Sequence, residues 1–382
     1  MNVLYVCGDR GIPLLGGKGA SVHVRAVTSA MQALGHRVTL AVRRVGSGNT
    51  APAVHRIERL DDDAQCTSQQ LADLIAEDRI DVVVERYSLQ SGAARAATRR
   101  HRLPLMLEVN APLVEEATRY RGLDDPGAQA WELETFRAAD RIQVVSSALL
   151  RYVRSVAPAV PSAWIHNGAD VVAFSRAQPV AMPELDGRLV IGFTGSMKQW
   201  HGVADLLNAF ARTSAPPDEA APLLLLLVGT GPEQEALRER AEAPDLAGRV
   251  VFTGARPHSA IPALVSRFDV GVAPYRPLPD FYFHPLKIVE YLAAGVPVVY
   301  PDQGDLRDLV GAAGLGYPPG SVDGITSQLS RLTSDDALRR RMGDAAACRG
   351  AEFDWHRVAE RVLDFASGSG ALLDVTGGGP EP

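Results

Sequence analysis

The sequence is poor in cysteine, has no long apolar run and carries no excess of positive charge, and each shortage excludes a class of protein. Its three cysteines, Cys7, Cys66 and Cys348, are too few and too scattered for a disulfide framework or a zinc knuckle, so we expect reduced thiols. No apolar run approaches the ~18 residues of a transmembrane helix. The net charge of −6 argues against nucleic-acid binding, which depends on a basic surface.

The N-terminus also lacks a cationic leader and a small-residue cleavage site. Residues 1–7 are typical of a first β-strand and not of a signal peptide, so we expect a cytoplasmic protein. One basic run, Arg95, Arg99 and Arg102, is spaced to share a helix face. A solvated face explains this run, and peripheral contact with an anionic lipid or acceptor is the alternative. Monomer and homodimer both stay open.

The apolar content is sufficient for two hydrophobic cores. At 382 residues, with 46% apolar and 22% charged residues, the chain is longer than one core usually organises. Short runs of Val, Leu and Ile alternate with helical patterns, which predicts parallel strands of doubly wound sheets. The predicted strands are residues 3–6, 38–42, 82–84, 105–109, 142–145, 163–165, 190–193, 223–228, 250–252, 270–273 and 296–299.

The strand series starts again near residue 190, after a stretch that contains Pro179, Pro183 and Gly187. We therefore predict two Rossmann-like doubly wound α/β domains that face each other across a cleft, the default place for a ligand. The expected parts are a first domain at 1–172, a linker at 173–187, a second domain at 188–350, a C-terminal helix at 351–366 that packs back on the first domain, and a disordered tail at 367–382.

A glycine-rich turn follows the first predicted strand. Gly16, Gly17, Lys18 and Gly19 open a helix for which Ser21 is the expected N-cap. Such a turn can place backbone amides at a phosphate, although plain strand-to-helix packing also explains the glycines. The turn matches neither a Walker A motif nor the G-x-G-x-x-G order of dinucleotide enzymes, which disfavours a NAD-linked oxidoreductase.

A longer set of motifs follows other predicted strands. In the second half it comprises a glycine turn with Lys198, the turns at 229–233 and 253–254, and the stretch 281–299. In the first half it comprises the segments 85–87, 108–113 and 166–170. Their order is physically sensible, because ligands of open α/β sheets bind at the carboxyl ends of strands.

This ordered set resembles the family-four retaining glycosyltransferases of the GT-B fold over nearly the whole chain, and the run from Phe281 to Lys287 resembles a sub-branch of them. The resemblance implies transfer of a hexosyl or amino-hexosyl unit from a nucleotide sugar, a UDP-sugar above all, to an acceptor hydroxyl with retention. It implies that the first domain binds the acceptor and the second domain binds the donor.

The resemblance also implies roles for single residues. Glu290 would accept both ribose hydroxyls, and Lys198 and Lys287 would neutralise the diphosphate. A carboxylate serving the helix dipole and a solvated loop lysine are the alternatives for Glu290 and Lys198. Asn110, Lys198 and Lys287 are the catalytic candidates, with Asn110 as a positioner and not a proton carrier. Further donor contacts are expected at Gly17, Gly19, Ser196, Gly229, Arg256, His284 and Leu286.

The sequence departs from the family pattern at two places. The family pairs two glutamates, but the position of the first is taken here by Tyr282, eight residues before Glu290. The arginine and lysine around the donor-side glycine turn are absent, with Ser196 and His201 approximately in their places. We expect Lys287 to take over phosphate binding, and the donor sugar stays open.

No metal and no cofactor are expected. The run Asp61, Asp62 and Asp63 matches the letters of a metal-binding Asp-x-Asp motif, yet it precedes a helix and is typical of a solvated, capping loop. Three alternatives to the transferase stay open: the NAD-linked oxidoreductase, an epimerase or phosphorylase of the same fold, and a catalytically inactive sugar-nucleotide-binding protein.

Candidate residues for acceptor binding lie in the first half of the chain. Candidate acceptor contacts are Lys18, His23, Glu85, Arg86, Glu115 and Glu116, with surface roles, or packing against a strand for His23, as the alternatives. The acidic set Glu108, Glu115, Glu116, Asp124 and Asp125 would suit a cationic acceptor. The first domain lacks the cationic face of an enzyme that docks on anionic membranes. A small natural product such as an aminocyclitol is therefore preferred to a lipid-linked acceptor.

Overall fold

The computed structural model describes residues 1–48, 51–89, 92–122, 125, 127–213 and 222–369. Asp124 and residues 370–382 of the predicted tail lie outside these ranges. The chain divides into two compact units. The first comprises Met1–Asn167, Tyr282–His284 and the chain from Trp355, and the second comprises Gly168–Phe281 and Pro285–Asp354.

Each unit contains one sheet in which all neighbouring strands are parallel. The first sheet has the order β3-β2-β1-β4-β5-β6-β7, with strands β1 (Asn2–Cys7), β2 (Arg37–Val42), β3 (Arg56–Arg59), β4 (Val82–Arg86), β5 (Leu105–Val109), β6 (Arg141–Val144) and β7 (Ser162–Trp164). The second has the order β10-β9-β8-β11-β12-β13, with strands β8 (Leu189–Thr194), β9 (Leu223–Val228), β10 (Val250–Gly254), β11 (Val270–Val272), β12 (Val298–Pro301) and β13 (Gly314–Tyr317).

Helices connect most consecutive strands, because parallel pairing needs a crossover between them. In the first unit they are α1 (Gly19–Ala33), α2 (Ala64–Glu77), α3 (Ala93–His101), α4 (Leu113–Arg121), α5 (Ala128–Ala138) and α6 (Ser147–Val156). In the second they are α7 (Val171–Ser175), α8 (Val203–Arg212), α9 (Gln234–Ala241), α10 (Ile261–Val265), α11 (Leu286–Ala293), α12 (Leu306–Val310), α13 (Val322–Ser334) and α14 (Asp336–Gly350). The last helix, α15 (Trp355–Ser367), belongs to the first unit and packs against α1.

The predicted fold class, two Rossmann-like doubly wound α/β domains, is confirmed. Central strands such as β9 are buried along their whole length, because they are covered on both faces, and this explains their continuous apolar runs. In each sheet the chain reverses its direction of winding once, between β1 and β4 and between β8 and β11. Ligands of doubly wound sheets bind at the carboxyl ends of the strands at these switch points.

The eleven predicted strands are present, but two further strands were missed. Strand β3 is charged at three of four positions and β13 contains two glycines, so neither shows an apolar run. The strand predicted from residue 296 begins at Val298, because a turn at Gly295 (φ +70°) and Pro297 precede it.

Two local expectations about helices were wrong. Ser21 is not an N-cap, because α1 already begins at Gly19 and Lys18 occupies the cap position without a side-chain hydrogen bond. Arg102 is not on the helical face with Arg95 and Arg99, because it ends α3 in the left-handed conformation (φ 56°).

The boundaries of the two compact units lie at other residues than the domain boundaries predicted from the sequence. Helix α7 lies where the linker is expected, and residues 351–354 belong to the second unit. Within the described ranges, no helix is long and apolar enough to cross a membrane.

Candidate functional site

In the second unit, the loop that follows β8 lies at the switch point of the sheet. Gly195 has φ +134°, and a Cβ atom there would lie 3.0 Å from Nζ of Lys287. Gly229, at the end of β9, has φ +130°, and its Cβ would lie 2.0 Å from the carbonyl oxygen of Gly195. The two turns therefore pack backbone to backbone, which only glycine permits at these positions.

The side chain of Lys287 reaches the same switch point from the first turn of α11. It is buried, and its Nζ lies 4.0 Å from the ring centre of Phe193 and 5.0 Å from that of Tyr275. Among the described residues, Nζ has no hydrogen-bond partner. Burial lowers the pKa of Lys287 to about 7, with a smaller opposing effect from Glu290. A buried, unpaired amine of this kind is suited to receive an anionic group.

Glu290 lies one turn further along α11 and is also buried. Its Oε1 lies 2.9 Å from Nε2 of His258, which follows β10 and whose ring also packs near Phe174 of α7. His258 is not among the site residues predicted from the sequence. Its place shortly after a strand end is the signal that could have revealed it.

Ser196, Lys198 and His201 share the loop after β8. The Nδ1 of His201 donates to the carbonyl oxygen of Ser196, which leaves Nε2 as an acceptor. Burial, and then the charge of Lys287, lower the pKa of His201 to about 3, so this ring is neutral at physiological pH. Lys198 places its Nζ 4.7 Å from the ring centre of Trp200, an exposed tryptophan.

The other predicted donor contacts are spread over both units. Leu286 begins α11, Gly229 directly follows β9, and Arg256 is exposed in the segment after β10. His284 is assigned to the first unit, where it is buried with its ring centre 5.0 Å from that of His166. Gly17 and Gly19 are exposed at the start of α1, also in the first unit. Their nucleotide roles stay predictions.

The first unit has a buried charged cluster centred on Glu108. Oε1 of Glu108 lies 2.8 Å from Nη1 of Arg86, 2.9 Å from Nε2 of His23 and 2.5 Å from Nδ2 of Asn110. The hydroxyl of Tyr5 donates to Oε2 over 3.0 Å. Burial alone would raise the pKa of Glu108, but the charges of His23 and Arg86 and the amide of Asn110 lower it to about 2.

Burial in the first unit corrects three expectations. Glu108 is not available to a cationic acceptor, because it is fully buried and both its oxygens already have partners. Oε1 is paired with Arg86, and Oε2 accepts a hydrogen bond from Tyr5. Glu85 and Arg86 are buried, so the surface alternative was wrong for both.

The remaining acceptor candidates lie near the start of the two helices that follow β1 and β5. Lys18 is exposed and donates to the carbonyl oxygen of Gly11 over 2.9 Å. Glu115 is exposed and paired with Arg119. Glu116 accepts a hydrogen bond from the hydroxyl of Tyr282, the residue that replaces the expected glutamate. Their acceptor roles stay predictions.

A metal site would need several ligating side chains in one place. In the ranges that the structure describes, no three His, Cys, Asp or Glu side chains are grouped as a metal site requires. Asp63 instead caps α2 by accepting from the amide of Cys66. Metal independence remains a prediction.

Comparison with known protein families assigns both halves of the chain. Residues 188–335 match the model of group 1 glycosyl transferases, and residues 17–172 match that of glycosyltransferase family 4. Both halves are glycosyltransferase domains. The two glycosyltransferase domains correspond to the two sheets, and their combination is the GT-B fold class.

Three similar proteins illustrate the relationship. The chain is 32% identical over 248 residues to a 2-deoxystreptamine N-acetyl-D-glucosaminyltransferase of Streptomyces fradiae, covering 61% of this chain and 56% of that protein. It is 32% identical over 219 residues to a phosphatidyl-myo-inositol mannosyltransferase of Mycolicibacterium smegmatis, covering 56% and 54%. These matches thus span about half the length of the curated relatives. The crystal structure of Anabaena HepE in complex with UDP superposes with a TM-score of 0.74 at 17% identity, covering 96% of this chain and 100% of that one.

Proposed function

We propose that the protein transfers a hexosyl or amino-hexosyl unit from a nucleotide sugar, first of all a UDP-sugar, to a hydroxyl of a small cyclitol acceptor. Transfer is proposed to retain the anomeric configuration and to need no metal. The observation that carries the proposal is the buried Nζ of Lys287, which lies without a hydrogen-bond partner among the described residues at the switch point of the second sheet.

The donor side follows from the geometry of α11. Lys287 and Glu290 are three residues apart and share a helix face, so one nucleotide can meet the amine with its diphosphate and the carboxylate with its ribose. Growing negative charge on the leaving diphosphate would be stabilised by Lys287, with Lys198 as a second cation. The UDP-bound structure of Anabaena HepE supports a uridine nucleotide as the first choice.

The acceptor side is supported by acidic side chains and by the names of two relatives. Glu115 and Glu116 in the first turn of α4 are carboxylates that an amine-bearing acceptor could approach. The names of the two curated relatives point to acceptors with a cyclitol ring, an aminocyclitol in one and an inositol lipid in the other. An aminocyclitol is preferred because of these acidic side chains.

The test is product analysis with the full chain. UDP-sugars and GDP-sugars are combined with 2-deoxystreptamine, myo-inositol and phosphatidylinositol vesicles, and products are identified by mass spectrometry and by the coupling constant of the new anomeric proton. A glycosylated aminocyclitol with the configuration of the donor is expected. Product on the inositol lipid alone would refute the acceptor class, and an inverted anomeric proton would refute retention. Nucleotide binding without transfer or hydrolysis would favour an inactive binding protein.

A further inference from the structure

The half-buried amide of Asn110 lies directly beside the buried carboxylate of Glu108 in the first unit. Asn110 follows β5, and its Nδ2 is 2.5 Å from Oε1 of Glu108. The carboxylate can only accept, because its pKa is lowered to about 2 and it is ionised. The NH2 group of the amide must therefore face Glu108, and the amide oxygen faces away from the cluster.

The carboxylate is itself held by groups on three other elements. Arg86 ends β4, His23 lies within α1, and Tyr5 lies within β1. These contacts engage both oxygens of Glu108 and hold the carboxylate in one orientation. The orientation of Asn110 is consequently fixed by the core of the unit and not by its own loop.

His23 extends the same network to a second segment. Its Nδ1 lies 2.9 Å from Oδ1 of Asn167, and Nδ2 of Asn167 donates to the carbonyl oxygen of His284 over 3.0 Å. Both ring nitrogens of His23 thus face oxygen atoms, one of Glu108 and one of Asn167. The edge of this ring also packs against Trp355, at 5.3 Å between ring centres.

We propose that Glu108 is a positioning residue that fixes the amide of Asn110 with its oxygen outward, so that residue 110 accepts a hydrogen bond from a substrate hydroxyl. The inference rests on the proposed function for the identity of the substrate, a hydroxyl-bearing donor sugar or acceptor. The outward side of Asn110 then has one hydrogen-bonding role, because the amide oxygen can accept a hydrogen bond but cannot donate one.

The test is the variant Asn110→Asp, in which the hydrogen-bonding role of residue 110 depends on pH. Repulsion from Glu108 raises the pKa of the new carboxyl. When protonated, the carboxyl donates to Glu108 and leaves an outward acceptor oxygen, as asparagine does. When ionised, it repels Glu108. The ratio of variant to wild-type turnover should therefore fall by at least about tenfold between pH 5.5 and pH 8. Glu108, His23, Arg86 and Tyr5 belong to the same cluster in both proteins, so the variant is compared with wild type at every pH. A ratio independent of pH would overturn the proposal.

Donor hydrolysis and transfer, measured in parallel, distinguish the two sources of the hydroxyl. If the hydroxyl belongs to the donor sugar, Asn110→Ala lowers both rates at every pH, and if it belongs to the acceptor, transfer alone falls. Either result supports the proposal, and unchanged rates for both reactions in Asn110→Ala would refute it.

A second readout does not depend on activity. In Asn110→Asp the folded-state pKa of the introduced carboxyl is raised above its unfolded value, so the folded protein binds the extra proton and loses stability as the pH rises through that folded pKa. The melting temperature of Asn110→Asp relative to wild type should therefore drop between pH 5.5 and pH 8. If the wild type showed neither transfer nor hydrolysis, the proposed function would be refuted, but the drop in melting temperature would still report the orientation of Asn110. A melting-temperature difference that does not change with pH would show that the amide does not face Glu108.

Discussion

Binding of a nucleoside diphosphate should take up a proton at Lys287. Its amine has a pKa of about 7 in the empty site, well below the ordinary 10.5, because burial penalises the charge. Below pH 7 the amine is already charged. Above pH 7 it is neutral until an anionic ligand favours the ammonium, so each pH unit above 7 should weaken binding by up to tenfold. Between pH 7.5 and pH 9 the expected loss is about 10- to 30-fold.

Three neighbouring groups have shifted pKa values that lie outside this range. His201 stays neutral because its pKa is lowered to about 3, and burial raises the pKa of Tyr275 and Tyr291 far above the range. Glu290 opposes the effect of burial on the amine, and this opposing effect is already part of the pKa of Lys287. The last ionisation of a phosphate, near pH 6, lies below the range as well.

The assay is calorimetric titration of UDP at several pH values in two buffers of different ionisation enthalpy, which counts the protons taken up. Lys287→Met should bind UDP more weakly at pH 7.5 by about 1.5–3 kcal/mol, the value of a hydrogen bond to a charged group. Its affinity should not depend on pH, and its turnover should fall about 10- to 1000-fold. Equal proton uptake by variant and wild type would refute the reasoning, and Lys198 would become the leading phosphate ligand.

The folding of this variant can be checked independently. The folded-state pKa of Lys287 lies below its unfolded value, so the penalty for burying the charge is complete below pH 7 and disappears as the pH approaches 10.5. Lys287→Met should therefore melt at a higher temperature than wild type at pH 6, with a difference that shrinks at higher pH. A variant that melts lower at pH 6 would show that the methionine disturbs the core.

Three further predictions concern the same site. Glu290→Gln should weaken UDP binding by about 1–3 kcal/mol with the melting temperature nearly unchanged, and unaltered affinity would remove Glu290 from the site. Gly195→Ala should weaken UDP binding, because its Cβ would lie 3.0 Å from Nζ of Lys287. The control is Gly248→Ala, which is also at positive φ but has nothing within 4 Å of its Cβ and should bind UDP normally. Equal losses of UDP affinity in both variants would point to backbone strain alone. Transfer should persist in excess EDTA, and a rate abolished by EDTA and restored by magnesium or manganese would contradict the metal-independent proposal.

The sequence alone determined the number of sheets, the parallel strands and the segments at their ends. Strands such as β9 are buried on both faces, so their apolar runs are continuous and visible locally. The same local patterns also predicted that Lys198 follows a strand and that Lys287 and Glu290 lie near the start of a helix. Strands β3 and β13 could not be predicted in this way, because charge and glycine replace the apolar run.

Only the tertiary structure decided which polar groups meet and which lose water. His258 and Glu290 are 32 residues apart, and Asn167 and His284 are 117 apart, so no local pattern could pair them. Burial makes Lys287, the expected phosphate ligand, an amine without a hydrogen-bond partner among the described residues. It also makes Glu108, expected to suit a cationic acceptor, an ion-paired core group. The physical reason is that side-chain charge depends on desolvation and on neighbours brought together by packing, whereas strand and helix periodicity depends on the residues next in the chain.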